Sequence, residues 1–494
     1  MTSNALNWKT LLPYFITALV IFVVWAWHLN DLGVGHIYHY DEFYTYDRST
    51  GFARNDDWLA VYSNNAPSLK KPPMQYWMSA LLMEFGVADI LALRLPSMIF
   101  ALGVLLATAV LARVMIPLSP WAMLPPVLMV ASSLQFWQHA TSAMLDMGAV
   151  FFSTLSIAAL IAAFERPKYW PLFGATIVLA ALQKSPTPLA FLALAFLTLK
   201  ITRKWQPEPP IEIWRNKKFR WMLAISVPLA FAWPILQELR FLFDGSLDGN
   251  IKGEMLDRFR PSLSDRGLGK LYDLILTGEP WLRLIGFVGL CALPFLQKRP
   301  KLYVATGIAV FFVIMMWAAS GKVYARYTLL ILPMLMVGAT GLLFSVKRLQ
   351  WVGMGVALVL CFFAGGPLKD RVATDLGQGR VRLGVPESEL LKPLGDMLQP
   401  DETLLICASD RKMRVPPGAA SVYASNGQRF IYLRRLELQR YLEKFDYTTG
   451  PLRGLCTIAE LEQLAPELDG LSTEPTAVEG LVYWSATGVK VVSE

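Results

Sequence analysis

Apolar residues in this chain come in long unbroken stretches, not in the alternation of a half-buried sheet. Runs fall at roughly 11–29, 92–114, 120–134, 147–164, 170–183, 187–201, 219–238, 281–297, 302–319, 328–345 and 350–366. Several approach the ~20 residues that span ~30 Å of hydrocarbon. A helix that is apolar on every side belongs in lipid or in a deep core. The pattern predicts about eleven spanning helices. After 366 it changes to Gly- and Pro-punctuated segments. Short β-branched runs there (Thr403-Leu404-Leu405-Ile406, Ser421-Val422-Tyr423, Gly480-Leu481-Val482-Tyr483-Trp484) alternate with helical patterns at 432–445 and 457–464. That alternation predicts a small α/β domain. The expected architecture is an all-α polytopic membrane bundle over 1–366, with a soluble α/β domain over 367–494.

The polar connections orient the bundle. With the N-terminus inside, the inner connections carry Arg113, then Arg166 and Lys168. Next come Lys200, Arg203, Lys204, Arg215, Lys217, Lys218 and Arg220, then Lys298, Arg299 and Lys301, and finally Lys347 and Arg348. Few acids accompany them (Glu165, Glu208, Glu212). This is the positive-inside pattern, held in phase through every predicted span. It places the N-terminus in the cytoplasm and the loops 30–91 and 239–280, with the C-terminal domain, on the outer side. For a bacterial inner-membrane protein that side is the periplasm. No short apolar core with a small-residue cleavage site opens the chain, so 11–29 reads as a retained span.

Composition agrees with a membrane protein. Hydrophobic residues make up 54% and charged residues 17%, and the mean hydropathy is +0.40. The net charge of +8 is largely the inner connections, so it gives no reason to expect nucleic acid. Membrane lipids are the expected surroundings. Of the four cysteines, Cys291 and Cys361 fall within predicted spans. Cys407 and Cys456 fall in the outer domain, where a bridge is permitted; the sequence leaves bridged and free thiols both open.

All candidate chemistry falls on the outer side. Asp41 and Glu42 follow the first span. Lys70-Lys71-Pro72-Pro73 follows in the same loop and leads into an amphipathic segment, Met74–Phe85, with Tyr76 and Trp77. Asp146 closes the second outer loop, Lys184 sits at the exit of the fifth span, and Lys322, Arg326 and Tyr327 occupy a short outer hairpin. Charges at a bilayer are expensive unless paired, hydrated or used. Carboxylates can remove a proton or hold a metal, and cations can neutralise a phosphate. Each residue also has a plain structural reading. Asp41 and Asp146 can begin helices, and Lys71 and Lys184 can snorkel. His28, His36, His39 and His139 match no zinc spacing and suit hydrogen bonding near the site instead. Coincidence on one face favours a site.

These residues resemble the lipid A aminoarabinose transferases and the wider bacterial dolichyl-phosphate-mannose-protein mannosyltransferase-like group. The likeness rests on Asp41-Glu42, on Lys71-Pro72-Pro73 with Tyr76-Trp77, and on Arg94-Leu95-Pro96-Ser97. Asp146-Met147, Lys184-Ser185-Pro186 and Tyr327 with Pro333 extend it over roughly 1–366. The chain departs from the pattern at Phe43-Tyr44-Thr45, where the aminoarabinose transferases have an Arg. It departs again at Lys70, in place of Glu, and at Ser185, in place of Gly.

The resemblance implies a GT-C architecture and transfer of a sugar from a polyprenyl-phosphate donor. The acceptor would be lipid A, another glycan, a glycolipid or a protein. It makes Asp41 the catalytic acid-base residue assisted by Glu42, and Asp146 the second-loop acid. Lys71, Lys184, Arg326 and Tyr327 would serve the donor phosphate. A divalent cation at Asp41 or Asp146 is compatible with the pattern, and no organic cofactor is expected. The competing reading is a lipid or sugar transporter or flippase. Against it, charges cluster at the mouth instead of the midplane, and the two halves of the chain show no symmetry.

Overall fold

The computed structural model describes residues 8–30, 32–33, 37, 40–63, 66–205, 210–243, 247–251, 280–318, 325–345, 349–365, 385–410, 412–413, 415, 417–424, 430–439 and 450–490. The chain divides into two compact units that do not follow chain order. One comprises Met1–Gly33, Leu69–Ser79 and Arg94–Ala373. The other comprises Val34–Ser68, Ala80–Leu93 and Thr374–Glu494.

Among the described residues, each predicted apolar run is mainly helical. In chain order the elements up to 366 are α1 (Trp8–Leu29), α2 (Tyr40–Arg54), strands β1 (Tyr62–Ser63) and β2 (Ala66–Pro67), α3 (Met74–Glu84), α4 (Asp89–Met115) and α5 (Leu124–Ala131). They continue with α6 (Leu134–Ala140), α7 (Asp146–Glu165), α8 (Trp170–Gln183), α9 (Thr187–Ile201), α10 (Lys217–Arg240), α11 (Pro280–Leu296), α12 (Tyr303–Ala318), α13 (Leu332–Phe344) and α14 (Gln350–Gly365). Among the described residues, Leu11–Leu29, Asp89–Met115, Asp146–Glu165 and Lys217–Arg240 are long and apolar enough to cross a membrane; five further apolar helices are shorter. The run at 120–134 is broken by the Ser132-Ser133 turn, whose Ser133 Oγ caps α6.

Helices in lipid gain little from apolar burial against each other, so close approach of backbones matters more. The clearest case is the pairing of α11 with α13. Gly286 and Gly289 face Leu335 and Gly338, Gly341 faces Leu293, and a Cβ at Gly289 or Gly338 would run into the opposing backbone. Trp25 Nε1 donates to Met98 O at 2.8 Å and ties α1 to α4.

One end of this unit is basic, as the inner connections predict. Arg299 donates to the carbonyls of Val114 and Met115 at 3.0 and 3.2 Å and pairs with Glu165. Lys301 Nζ donates to Phe164 O at 2.7 Å. Cations thus cover the C-terminal ends of α4 and α7, where unsatisfied carbonyls concentrate negative charge. The start of α7, with Asp146, is the opposite end. Lys322, His36, His39, Lys347, Arg348 and the greater part of the loop 239–280 lie outside the described residues, as does the Cys361 side chain.

The C-terminal region is α/β. It contains α15 (Glu387–Met397), β3 (Thr403–Cys407), α16 (Pro417–Tyr423), β4 (Phe430–Leu433), β5 (Leu452–Thr457), α17 (Ile458–Leu464), β6 (Leu468–Asp469), β7 (Ser472–Pro475), β8 (Leu481–Ala486) and β9 (Gly488–Val489). The main sheet runs β4-β3-β5-β8-β7. β4, β3 and β5 are parallel, and β8 and β7 are antiparallel. β3 is buried along its whole length, as a parallel strand covered on both faces should be.

Two sequence expectations fail here. Ser421-Val422-Tyr423 ends a helix, not a strand, because it packs on α2. Phe430–Leu433 is a strand with alternating burial, so no helix starts at 432; residues 440–445 lie outside the described residues. Thr457 and Glu460 form a reciprocal capping box at the start of α17. Cys407 and Cys456, on neighbouring strands with Cα atoms 4.8 Å apart, are disulfide-bonded, and Trp484 Nε1 donates to Cys456 Sγ at 3.1 Å. Closing a loop of 49 residues restricts the unfolded chain by roughly 4 kcal/mol in the loop-entropy picture.

The glycine crossing gives a paired test. Gly289→Leu should lower the thermal midpoint of the detergent-solubilised protein by several degrees, because overpacking costs about 1–3 kcal/mol. Gly355→Leu, where a Cβ meets nothing within 4 Å, should leave it within a degree or two. Equal midpoints for both variants would remove the crossing from the account.

Candidate functional site

In the first unit the chemistry gathers at the start of α7. Asp146 is the first residue of that helix, and Lys184 directly follows α8. Lys184 Nζ sits 2.8 Å from Asp146 Oδ1, with side-chain exposures of 21% and 9%. The ammonium also lies 5.5 Å from the centre of the Tyr327 ring, and the Arg326 guanidinium lies 6.0 Å from the same ring. Two cations therefore face one phenol, an arrangement the ring's quadrupole favours. Asp146 interacts electrostatically with His139 and Arg326 as well as with Lys184. His139 Nδ1 is 2.8 Å from Gln135 O, a hydrogen bond near the site.

A polar network fixes these groups. Gln183, the residue before Lys184, uses Nε2 to donate to Gln75 Oε1 at 2.9 Å and to Leu145 O at 3.2 Å. Gln75 Nε2 donates to Ser97 Oγ at 2.9 Å, and Ser97 Oγ donates to Met144 O at 3.0 Å. Gln75, Ser97 and Gln183 are all fully buried. Gly148 has no room for a side chain because Gln183 occupies the space. Four elements are thus tied together by bonds that cannot be exchanged for water, which makes each costly to break. The Arg94-Leu95-Pro96-Ser97 motif acquires a reason: Ser97 holds the turn before Asp146, and buried Arg94 donates to Leu32 O at 3.3 Å.

Sequence reasoning missed Gln75, Gln183 and Arg283. Arg283, 1% exposed, donates to Thr328 Oγ1 at 2.5 Å and to Gln135 Oε1 at 2.8 Å. It pins the residue next to Tyr327. The available signal was a lone arginine inside an apolar run, which marks a polar function by default.

Lys71 is half-buried, four residues before Gln75 and so on the segment that the network anchors. Its neighbour Lys70 is turned to Asp248 at 2.5 Å, with both side chains nearly half exposed.

In the second unit Asp41 and Glu42 occupy the first turn of α2. That is where the helix dipole favours negative charge. Asp41 is half-buried, whereas Glu42 is 1% exposed. Further along, Asp47 accepts from Arg54 at 3.1 Å, and the Arg48 guanidinium lies 5.0 Å over Tyr44. Tyr46 donates to Asp89 at 2.8 Å; burial, and then that bond, raise its phenol above the ordinary range. Among the described residues no group of three His, Cys, Asp or Glu side chains converges as a metal set. Asp146 has one oxygen committed to Lys184. That leaves Asp146 one uncommitted carboxylate oxygen among the described contacts, fewer ligands than a metal centre needs there.

Residues 70–213 match the family model for dolichyl-phosphate-mannose-protein mannosyltransferase. No curated sequence matches the chain significantly. Among solved structures, the chain is similar to ArnT from Cupriavidus metallidurans bound to undecaprenyl phosphate. The TM-score is 0.66 with 16% identity, over 96% of this chain and 97% of that one. The apo form of the same protein gives a TM-score of 0.65 with 16% identity, over the same shares. Arabinofuranosyltransferase AftD from Mycobacteria gives 0.52 with 13% identity, over 95% of this chain and 40% of the other. The fold is therefore the GT-C fold, with a small C-terminal β-sheet domain, so the resemblance is borne out at the level of the fold.

The ion pair sets a measurable contrast. A double-mutant cycle on Asp146→Ala and Lys184→Ala, read as unfolding free energy in detergent, should give a coupling above about 1 kcal/mol, as for partly buried networks. The same cycle on Lys70→Ala and Asp248→Ala should give about 0.5 kcal/mol or less. The reverse order contradicts the assignment of the structural pair.

Proposed function

We propose that this chain is an integral membrane glycosyltransferase that moves a sugar from a polyprenyl-phosphate donor to an acceptor, inverting the anomeric carbon, at the periplasmic face of a bacterial inner membrane. The observation that carries the reading is the pair of cations, Lys184 and Arg326, at the Tyr327 ring, in a fold shared with ArnT bound to undecaprenyl phosphate. The Cys407–Cys456 bridge supports an outer location for the C-terminal domain, since disulfides persist in oxidising compartments.

In this reading the chemistry divides between two sets of residues. Lys184, Arg326 and Lys71 receive the donor phosphate, with Tyr327 beside them. The leaving group is a phosphate of low pKa, so it needs charge neutralisation rather than a proton. Asp146 acts by holding the Lys184 ammonium in place. Asp41 accepts the proton of the acceptor hydroxyl or amine as its oxygen or nitrogen bonds to the anomeric carbon. The bond from that carbon to the phosphate oxygen breaks, and polyprenyl phosphate leaves with the electron pair. Buried Glu42 supports Asp41 from within the same helical turn.

Base catalysis contributes about 10²–10⁴-fold. Asp41→Asn should therefore lower turnover by at least 10²-fold, with an unchanged thermal midpoint, when release of polyprenyl phosphate from a lipid-linked sugar is followed. Turnover near the wild-type rate sinks the base assignment. Movement of intact lipid-linked sugar across proteoliposomes, with no release of polyprenyl phosphate, points to a flippase.

A further inference from the structure

The second unit joins the C-terminal domain to the helix that carries the acidic pair. α16 packs along α2, and the approach is closer than side chains allow. A Cβ at Gly418 would stand 2.9 Å from Phe43 Cβ and 3.0 Å from both the Phe43 carbonyl carbon and the Tyr44 backbone nitrogen. Real Cβ contacts are not that short, and neither backbone atom can swing aside. Phe43, the residue after Glu42, is fully buried. Its ring meets the edge of Tyr423 with centroids 6.3 Å apart and planes at 80°, a favoured aromatic geometry.

The other side of α16 is equally tight. Gly395, on α15, lies against the backbone of Tyr423 and Ala424, where a Cβ could not fit, and α15 packs on α16. Tyr483 Oη, on β8, donates to Leu390 O at 2.9 Å and ties α15 to the sheet. The sheet, α15, α16 and the first turn of α2 thus form one stack, with a glycine at each of its two closest joins. Glu42 and Glu387 are both buried within this unit. Burial, then the carboxylates of Glu387, Glu42 and Asp89, push the Tyr423 phenol up to about 12.

We propose that the C-terminal domain is a clamp for the Asp41–Glu42 turn, with Gly418 and Tyr423 as positioning residues that act through Phe43. The domain is then a working part of the reaction and not an appended module. The function of the clamp rests on the transferase reading; the clamp itself does not.

Two measurements on the full-length protein in detergent separate these. The first is hydrogen exchange. In Gly418→Val and in Tyr423→Ala, amides of Tyr40–Arg54 should exchange at least tenfold faster, while those of α7, β3 and β5 keep wild-type protection. The second is kinetic. Both variants should lose at least tenfold in kcat with less than a threefold change in donor KM, and Tyr423→Phe, which keeps the ring, should restore most of the rate. Thr473→Ala, on the exposed strand β7, should match wild type in both. Unchanged exchange over Tyr40–Arg54 in Tyr423→Ala, which adds no atom, overturns the clamp. Faster exchange with an active Asp41→Asn keeps the clamp and sinks the base. Faster exchange with wild-type kcat shows contact without positioning and overturns the proposed role.

Discussion

The ion pair between Lys184 and Asp146 is the interaction on which the first unit's chemistry depends. A cation at the end of an apolar bundle is costly to bury alone. Its partner stands at the start of the neighbouring helix, so the two must be delivered by different helices. The chain does this with uncharged groups. Gln183, Gln75 and Ser97 spend their hydrogen bonds on each other and on the carbonyls of Met144 and Leu145. The backbone before Asp146 and the residue before Lys184 are therefore fixed before any charge is considered. Arg283 does the same for Thr328, next to Tyr327. The result is a cationic surface at which the Asp146 carboxylate is already engaged by Lys184, an arrangement suited to receiving a phosphate without reorganisation.

The second unit solves a different problem. In the proposed reaction the Asp41 carboxylate must hold its direction, and a first helical turn frays easily when only solvent faces it. Here the turn is backed by a folded domain, itself stapled by a disulfide between β3 and β5 and by a saturated Glu460, which accepts from Ser409, Asp410 and Thr457. Long loops and a C-terminal domain are thus means of supporting side chains that lipid-embedded helices cannot support alone.

Much of this was legible from residues. The apolar runs are mainly helical because backbone groups in lipid have to be satisfied within the segment; the run at 120–134 is interrupted by a turn. That Asp146, Lys184, Arg326 and Tyr327 belong together was legible through charge on one face and through motifs. What escaped was whatever carries no charge and no periodicity. Gln183 reaches Gln75 across 108 positions, and Arg283 reaches Gln135 across 148; no local pattern predicts such pairs. Ser421-Val422-Tyr423 looked like a strand because Val and Tyr favour one, but packing of Gly418 and Tyr423 on α2 overrode that preference. The role of α16 was invisible for the same reason: only the fold places residue 418 against residue 43.

The central claim is that the cations around Tyr327 recognise a phosphate on a prenyl chain. Equilibrium binding of polyprenyl phosphate and of the corresponding neutral polyprenol to the purified full-length protein tests it most directly, since the two ligands share every apolar contact. The account predicts at least tenfold tighter binding of the phosphate, about 1.4 kcal/mol, with the preference lost in Arg326→Gln. Equal affinity for the two ligands would contradict it.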